Sequence, residues 1–278
     1  MQSELAIACL RSRIVSNERT FETWNPETMY TPHMVPTAYT QQGICLFDNA
    51  VFHHLLGENR IAKGLFAQSA GLLKEGALRS EQPKLVTLTS ALEAVLLAHD
   101  WEAAAQMANE FSKCPGHDLV RDRLAYSLAL SLLVLKQDAD VQSQIDQAMA
   151  VDAKKAWYPG IGRLLVSVLS QDSSGFVEEA KIILEVHHRR ARHKNSFIYS
   201  SSIAFICVPV TVLGIIAIQR GMDIADGITN RHATIPMSLA YISEYKGEPI
   251  KKGSTVDVEV DYVPKAFLIS GVEKDLAT

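Results

Sequence analysis

The chain has 278 residues, of which 47% are hydrophobic and 21% charged; this describes a folded globular protein and excludes a disordered or low-complexity one. Lys and Arg total 27 against 31 Asp and Glu, a net charge of -4, so the basic surplus that a general grip on nucleic acid requires is missing. A chain of this length can bury roughly three quarters of its unfolded surface, and residues 1–278 read as a single, mainly α domain.

In chain order, Met1 to Ser16 reads as a helix. Its charges at Glu4, Arg11 and Arg13 leave no uninterrupted apolar core of signal-peptide length, so no export is expected. Asn17 to Thr40 holds Pro26, Pro32 and Pro36. It reads as a long loop packed down by Phe21, Trp24 and Tyr30, and long ordered loops are often functional.

From about residue 36 to 192 a weak repeat appears. A Leu-x-x-Asp/Asn step occurs at Leu56/Asn59, Leu97/Asp100, Leu135/Asp138 and Leu169/Asp172. The Asp or Asn falls where a helix N-cap is needed, because its side chain accepts the orphan N–H groups of the next turn. The residues that follow keep a helical period: Trp101, Ala104, Ala105, Ala108 and Phe111 after Asp100; Val141, Ile145, Ala148 and Met149 after Asp138; Phe176, Ala180, Ile183 and His187 after Asp172. Four helix–turn–helix units are predicted, with Pro36, Pro83, Pro115 and Pro159 at the joints. They form either a tetratricopeptide-like stack of antiparallel hairpins or a compact bundle.

Ser196 to Gln219 carries no charge and follows Arg189, Arg190, Arg192 and Lys194. Its first third is polar and Pro209 divides the rest, so it reads as an extended lead-in and a buried helix from about Pro209 to Arg220, capped by Gly221, with no membrane span. Ile235 to Lys246 reads as one more helix, with Pro236 in its first turn and Gly247 at its end. Thr255 to Tyr262 then alternates: Val256, Val258 and Val260 face one way, Asp257, Glu259 and Asp261 the other, which is the signature of a short β segment. Glu248 to Lys252 is a weak candidate for its hairpin partner.

The search for chemistry returns no constellation. Cys9, Cys45, Cys114 and Cys207 lie far apart, which favours small buried hydrophobes in a reducing, cytoplasmic setting over a disulfide scaffold or zinc knuckle. His53/His54 and His187/His188 are adjacent pairs, which diverge by about 100° on a helix. No H-E-x-x-H or H-x-x-x-H spacing, G-x-S-x-G elbow or Walker lysine occurs. Gly160-Ile161-Gly162 lacks the preceding strand of a dinucleotide loop and reads as a helix boundary. No cofactor or metal is expected, and no enzymatic activity. The carboxylates Asp257, Glu259 and Asp261 form either a solvated edge or an acidic stripe that steers a basic partner.

Three stretches are similar to the immunity protein 49 family, antidote proteins of bacterial polymorphic toxin and secretion systems. Gly175-Phe176-Val177-Glu178-Glu179-Ala180-Lys181-Ile182-Ile183-Leu184-Glu185-Val186-His187 resembles the family's late amphipathic helix ending in histidine. Pro209 to Gly221, followed by Met222-Asp223-Ile224, resembles its apolar helix. Val258-Glu259-Val260-Asp261-Tyr262-Val263-Pro264-Lys265-Ala266-Phe267-Leu268 resembles its closing Tyr-x-Pro segment. A second placement puts the apolar helix at Ile235 to Gly247, with Glu248-Pro249-Ile250 as its exit, and both stay open. The resemblance covers the last third of the chain, and the helical middle only in style. It implies a mainly α protein that neutralises one cognate toxin by direct contact, protecting the producing cell, and it transfers no active site. The stripe of Asp257, Glu259 and Asp261 and the aromatic residues Phe21, Trp24 and Tyr30 are the candidate partner contacts. A basic toxin, such as a nuclease, would suit the stripe. The alternative is a helical-repeat scaffold or regulator that takes a peptide between its helices.

Overall fold

Each Leu-x-x-Asp/Asn step is the turn of a helical hairpin. In the computed structural model the four hairpins are α3 (Val35–Leu55) with α4 (Asn59–Leu78), α5 (Leu85–Leu97) with α6 (Trp101–Ala108), α7 (Arg121–Val134) with α8 (Asp138–Met149), and α9 (Ile161–Ser170) with α10 (Ser173–Arg192). The structure describes residues 4–22, 24–82, 84–111, 114, 120–151, 156–193, 196, 198, 201–224, 231–236, 244–249, 251 and 255–269.

All four turns share one backbone geometry. A single residue enters the left-handed region: Gly57 (φ 81°), His99 (62°), Lys136 (58°) and Gln171 (55°). The next N–H then bonds a carbonyl five residues back: Glu58 to His53 at 2.9 Å, Asp100 to Val95 at 3.2 Å, Gln137 to Leu132 at 2.9 Å and Asp172 to Ser167 at 2.9 Å. This is the Schellman closure, which satisfies the last carbonyls of one helix just before the next begins. The sequence repeat is therefore a repeat of turn geometry.

The capping expectation holds in two units and is corrected in two. Asp100 accepts from the Ala103 N–H at 3.0 Å and Asp172 from the Gly175 N–H at 2.9 Å. Asn59 and Asp138 are instead the first residues of α4 and α8, behind Glu58 and Gln137, whose side chains make no capping bond. Each has another partner. Asn59 Oδ1 accepts from His54 at 2.7 Å, and Asp138 takes both Arg220 nitrogens, at 2.7 and 3.0 Å. A carboxylate in the first turn still favours the helix through its dipole.

Consecutive helices pack on one another from α3 to α10, and α7 also touches both α5 and α9. Against α5, α7, α9 and α10 lies α11 (Val208–Gln219). Pro209 sits in its first turn, Gly221 follows its end at φ 88°, and every residue from Val208 to Ala217 is buried. A helix apolar on all sides needs protein around it, and the hairpin stack supplies it. Among the described residues no helix is long and apolar enough to cross a membrane.

Three expectations are corrected at the chain's two ends. The loop expected over Asn17 to Thr40 is mostly helix: α1 (Glu4–Glu22) runs through Asn17, α2 (Pro26–Met29) follows, and α3 starts at Val35. Asn17 is buried and donates to Asn49 on α3 at 2.7 Å, so a tertiary partner satisfies it inside a helix where its own propensity is poor. Ile235 to Lys246 is not one continuous helix. Ile235 and Pro236 close β1 (Arg231–Pro236), and Glu244 and Tyr245 form β2 (Glu244–Tyr245); residues 237–243 lie outside the described residues. Pairing with a distant strand, Ile235 opposite Val256 and Pro236 opposite Thr255, outweighs the apolar period there.

Finally, β4 (Thr255–Val260) pairs antiparallel with β1, Ile235 opposite Val256 and Arg231 opposite Val260. The candidate partner around Glu248 instead forms β3 (Glu248–Pro249) and pairs with β2; Ile250 and Lys252 are outside the described residues. A last short helix, α12 (Lys265–Leu268), packs on α11. The fold is mainly helical, with stacked hairpins and a short β segment near its C-terminal end.

Candidate functional site

The acidic stripe is shorter than its sequence implies. Val258 and Val260 are buried while Asp257 and Glu259 are exposed, as alternation requires. Asp261 lies beyond the end of β4 and is half-buried. Its Oδ2 accepts the Lys265 N–H at 3.1 Å, fixing the turn into α12. Burial pushes its carboxyl up, against the pull of the Lys265 N–H and of His54. Asp261 is thus tied into the fold, and of the three carboxylates Asp257 and Glu259 are the exposed ones.

The aromatic candidates sit elsewhere. Trp24 and Tyr30 flank α2 and meet edge to face at 5.7 Å. Gln42 on α3 donates to the Trp24 carbonyl at 3.4 Å. The same short helix is tied down by Glu27, which accepts from Tyr39 at 2.9 Å and pairs with Arg79. Phe21 lies in α1, and its side chain is outside the described residues. Asp261 is near His54, at the other end of α3. From Gln42 to His54 is twelve residues, about 18 Å of helix at 1.5 Å per residue. The structure therefore sets Trp24 and Tyr30 well apart from Asp261 and does not join the two groups into one patch.

The stretches that carry the family resemblance do meet. The His187 ring on α10 lies edge-on to Tyr262, centroids 5.1 Å apart. The Tyr262 carbonyl accepts the Cys207 N–H at 2.6 Å and the Thr211 hydroxyl at 3.4 Å, both at the head of α11. Of the two placements for the apolar helix, Pro209 to Gly221 falls on α11, and residues 237–243 of the other lie outside the described residues. The motif residues form a buried joint between α10, α11 and the closing segment.

Beside this joint is a cavity of about 220 Å³ that the sequence reading missed. Its walls are mostly apolar and aromatic, with Phe47, Trp157 and Tyr158, but Asp48, Glu93 and Arg123 also line it. Glu93 is the only charged residue of α5, and ten of that helix's thirteen residues are buried. A lone carboxylate in so apolar a helix was the available signal. Its Oε1 accepts from Tyr126 at 2.9 Å. Burial pushes Glu93 up to about 7, opposed by the Tyr126 hydrogen bond and the Arg123 charge. Asp48 is also raised by burial and is held by the Ser202 hydroxyl.

The neighbouring wall is held rigidly. Asp122 accepts the Trp157 N–H and Arg190 donates to the Trp157 carbonyl, so this residue is gripped from both sides. Tyr126 and Trp157 rings lie 5.2 Å apart, and the Arg123 guanidinium stands 5.2 Å from the Trp157 ring centroid. The Tyr158 hydroxyl bonds His187 Nδ1 at 2.9 Å. Burial raises Tyr158 well above its ordinary range and brings His187 down to about 4. At neutral pH both partners of this bond are therefore uncharged.

Among the described residues, no group of three or more His, Cys, Asp or Glu side chains is placed to hold a metal. No family model matches the sequence, and no curated protein or solved structure matches it either.

Proposed function

We propose that this chain is an immunity protein: it binds a cognate bacterial toxin by direct contact, blocks it stoichiometrically, and so protects the cytoplasm of the producing cell. The observation that carries this reading is the joint at Tyr262. The three family-like stretches, far apart in the chain, pack on one another as a framework, which is how motifs that specify a fold behave. On such a framework the recognition surface is free to vary. Asp257 and Glu259, side by side on the exposed face of β4, are the proposed steering charges, matched to a basic face on the toxin such as a nuclease presents. An interface of this kind buries on the order of 1,600 Å² in total. The test is co-purification of the tagged chain with the toxin encoded beside its gene, followed by an assay of toxin activity. A stable complex with silenced toxin supports the proposal, and separate elution of the two proteins contradicts it.

A second reading, a helical-repeat scaffold that takes a peptide, draws on the four like-turned units. In units two to four, however, α11 already covers α5, α7 and α9, so a peptide would have to use another face.

A further inference from the structure

The cavity beside the Tyr262 joint holds two charges of opposite sign that do not satisfy each other. Arg123 acts on Glu93 through space, yet among the described residues no hydrogen bond or ion pair joins them. Among the described residues the Arg123 Nε, a buried atom, has no hydrogen-bond partner. Glu93 is half-buried on α5, and its one hydrogen bond among the described residues is the one from Tyr126 to Oε1, leaving Oε2 unused. An unpartnered guanidinium donor and an unused carboxylate oxygen on residues lining one cavity favour a ligand that completes both. The space between is large enough for more than water, about 220 Å³, and its surface is mainly apolar. Exposed Ile44 lies on its lining and marks a way in.

We propose that this cavity binds a small zwitterion with an apolar body, of the free α-amino acid class. The ligand's carboxylate meets the Arg123 guanidinium, which offers a planar fork of donors suited to it. Its ammonium meets the unused oxygen of Glu93, with Asp48 as a second acceptor on the same lining. Its side chain lies among Phe47, Trp157 and Tyr158. A ligand with only an acid or only an amine would leave one of the two half-buried charges without its partner, so the site discriminates against both. This site is separate from the proposed toxin-facing charges on β4, and neither reading depends on the other.

The test uses the full chain and three probes of rising size: L-valine, L-leucine and L-phenylalanine. Each is titrated calorimetrically and by thermal melting at neutral pH. The single-charge analogues of leucine, 3-methylbutylamine and 4-methylpentanoate, are titrated in parallel. The expected result is saturable binding of at least one amino acid with a rise in Tm. Both leucine analogues should bind at least tenfold more weakly than leucine, and Arg123→Gln and Glu93→Gln should each weaken amino-acid binding at least tenfold. No saturable binding of any of the three amino acids at millimolar concentration overturns the proposal and leaves a cavity occupied by water. Analogues that bind as tightly as leucine also overturn it. That comparison is made on the unaltered chain, so it stands even where a variant folds poorly.

Discussion

The backbone N–H of Cys207 donates to the carbonyl of Tyr262 at 2.6 Å. This one bond joins the start of the buried apolar helix to the closing segment of the described chain. Tyr262 is 2% exposed, and its ring touches His187 on α10. The Tyr262→Ala variant leaves a hole at this three-way joint and should cost about 3–5 kcal/mol, the range for truncating a large buried aromatic residue. Tyr262→Phe keeps the ring and should cost much less, since it gives up the hydroxyl contact to His188 at 3.3 Å but not the packing. Urea unfolding of the two variants measures the difference. Equal losses would mean that the ring does not hold the joint.

The repeated turns give a second prediction. Lys136 and Gln171 occupy left-handed backbone that costs a residue with a Cβ roughly 1–2 kcal/mol. Replacement by glycine relieves that strain, less the entropy glycine loses on folding, so Lys136→Gly should raise stability by about 0.5–1 kcal/mol. Gly57→Ala, at the equivalent place, should lower it by about 1 kcal/mol. Asp100→Ala and Asp172→Ala should each cost about 1 kcal/mol through the lost cap. Thermal melting of the set checks whether the turns are energetically alike.

Much of the helical body was legible because turns and caps act locally. The Leu-x-x-Asp/Asn step marks the Schellman turn in every unit, although the αL residue shifts by one place between them. Pro209 and Gly221 bracket α11 as their φ preferences dictate. What was not legible depends on partners distant in the chain. Asn17 continues a helix because Asn49 is there to receive it. Ile235 and Pro236 are extended because β4 lies alongside. Asp261 turns inward because the Lys265 N–H needs an acceptor. Glu93 and Arg123 share no motif, and only the stacking of α5 and α7 brings them to one cavity.

Close helix approach gives a third prediction. A Cβ on Gly76 would stand 2.8 Å from the Pro36 carbonyl oxygen and 2.3 Å from Thr40 Oγ1, and one on Gly43 would stand 2.6 Å from Leu73 Cγ. Two glycines let α3 and α4 pack this tightly. Gly76→Ala forces the helices apart against backbone and should cost about 1–3 kcal/mol. Gly64 has open space around its Cβ position, so Gly64→Ala should gain up to about 1 kcal/mol from helix propensity. Opposite signs for the two variants in chemical denaturation are the expected result.

The buried ionisable groups predict a pH dependence. Glu93 sits near 7 in the folded state, against 4.5 unfolded. The folded state therefore holds its proton longer, and Glu93 lowers stability as pH rises from about 4.5 through 7. His187 acts oppositely. Its folded value is near 4 against 6.5 unfolded, so stability is lost as pH falls from about 6.5 towards 4. Between about 4.5 and 6.5 the two slopes cancel. Glu93→Gln should unmask the histidine. At pH 8 the variant should be more stable than the parent by up to about 3 kcal/mol, and it should lose stability more steeply on acidification. Denaturant titrations of both proteins at pH 8 and pH 5 measure this, and an unchanged difference between the two pH values would contradict it.

Charge reversal on β4 probes the surface without disturbing the core. Asp257 and Glu259 are exposed, so lysine at both positions should change stability by no more than about 0.5 kcal/mol. If these carboxylates steer a basic toxin, the double variant should associate at least tenfold more slowly at low salt, with the gap closing as salt rises. An association rate that ignores the reversal would remove them from the interface.

The most direct measurement is a calorimetric titration of the purified chain with the toxin encoded beside its gene, with toxin activity followed in the same mixtures. A one-to-one complex of nanomolar affinity, with activity falling in proportion to the chain added, is the predicted result. Absence of binding at micromolar concentrations, with the toxin fully active, would contradict the account.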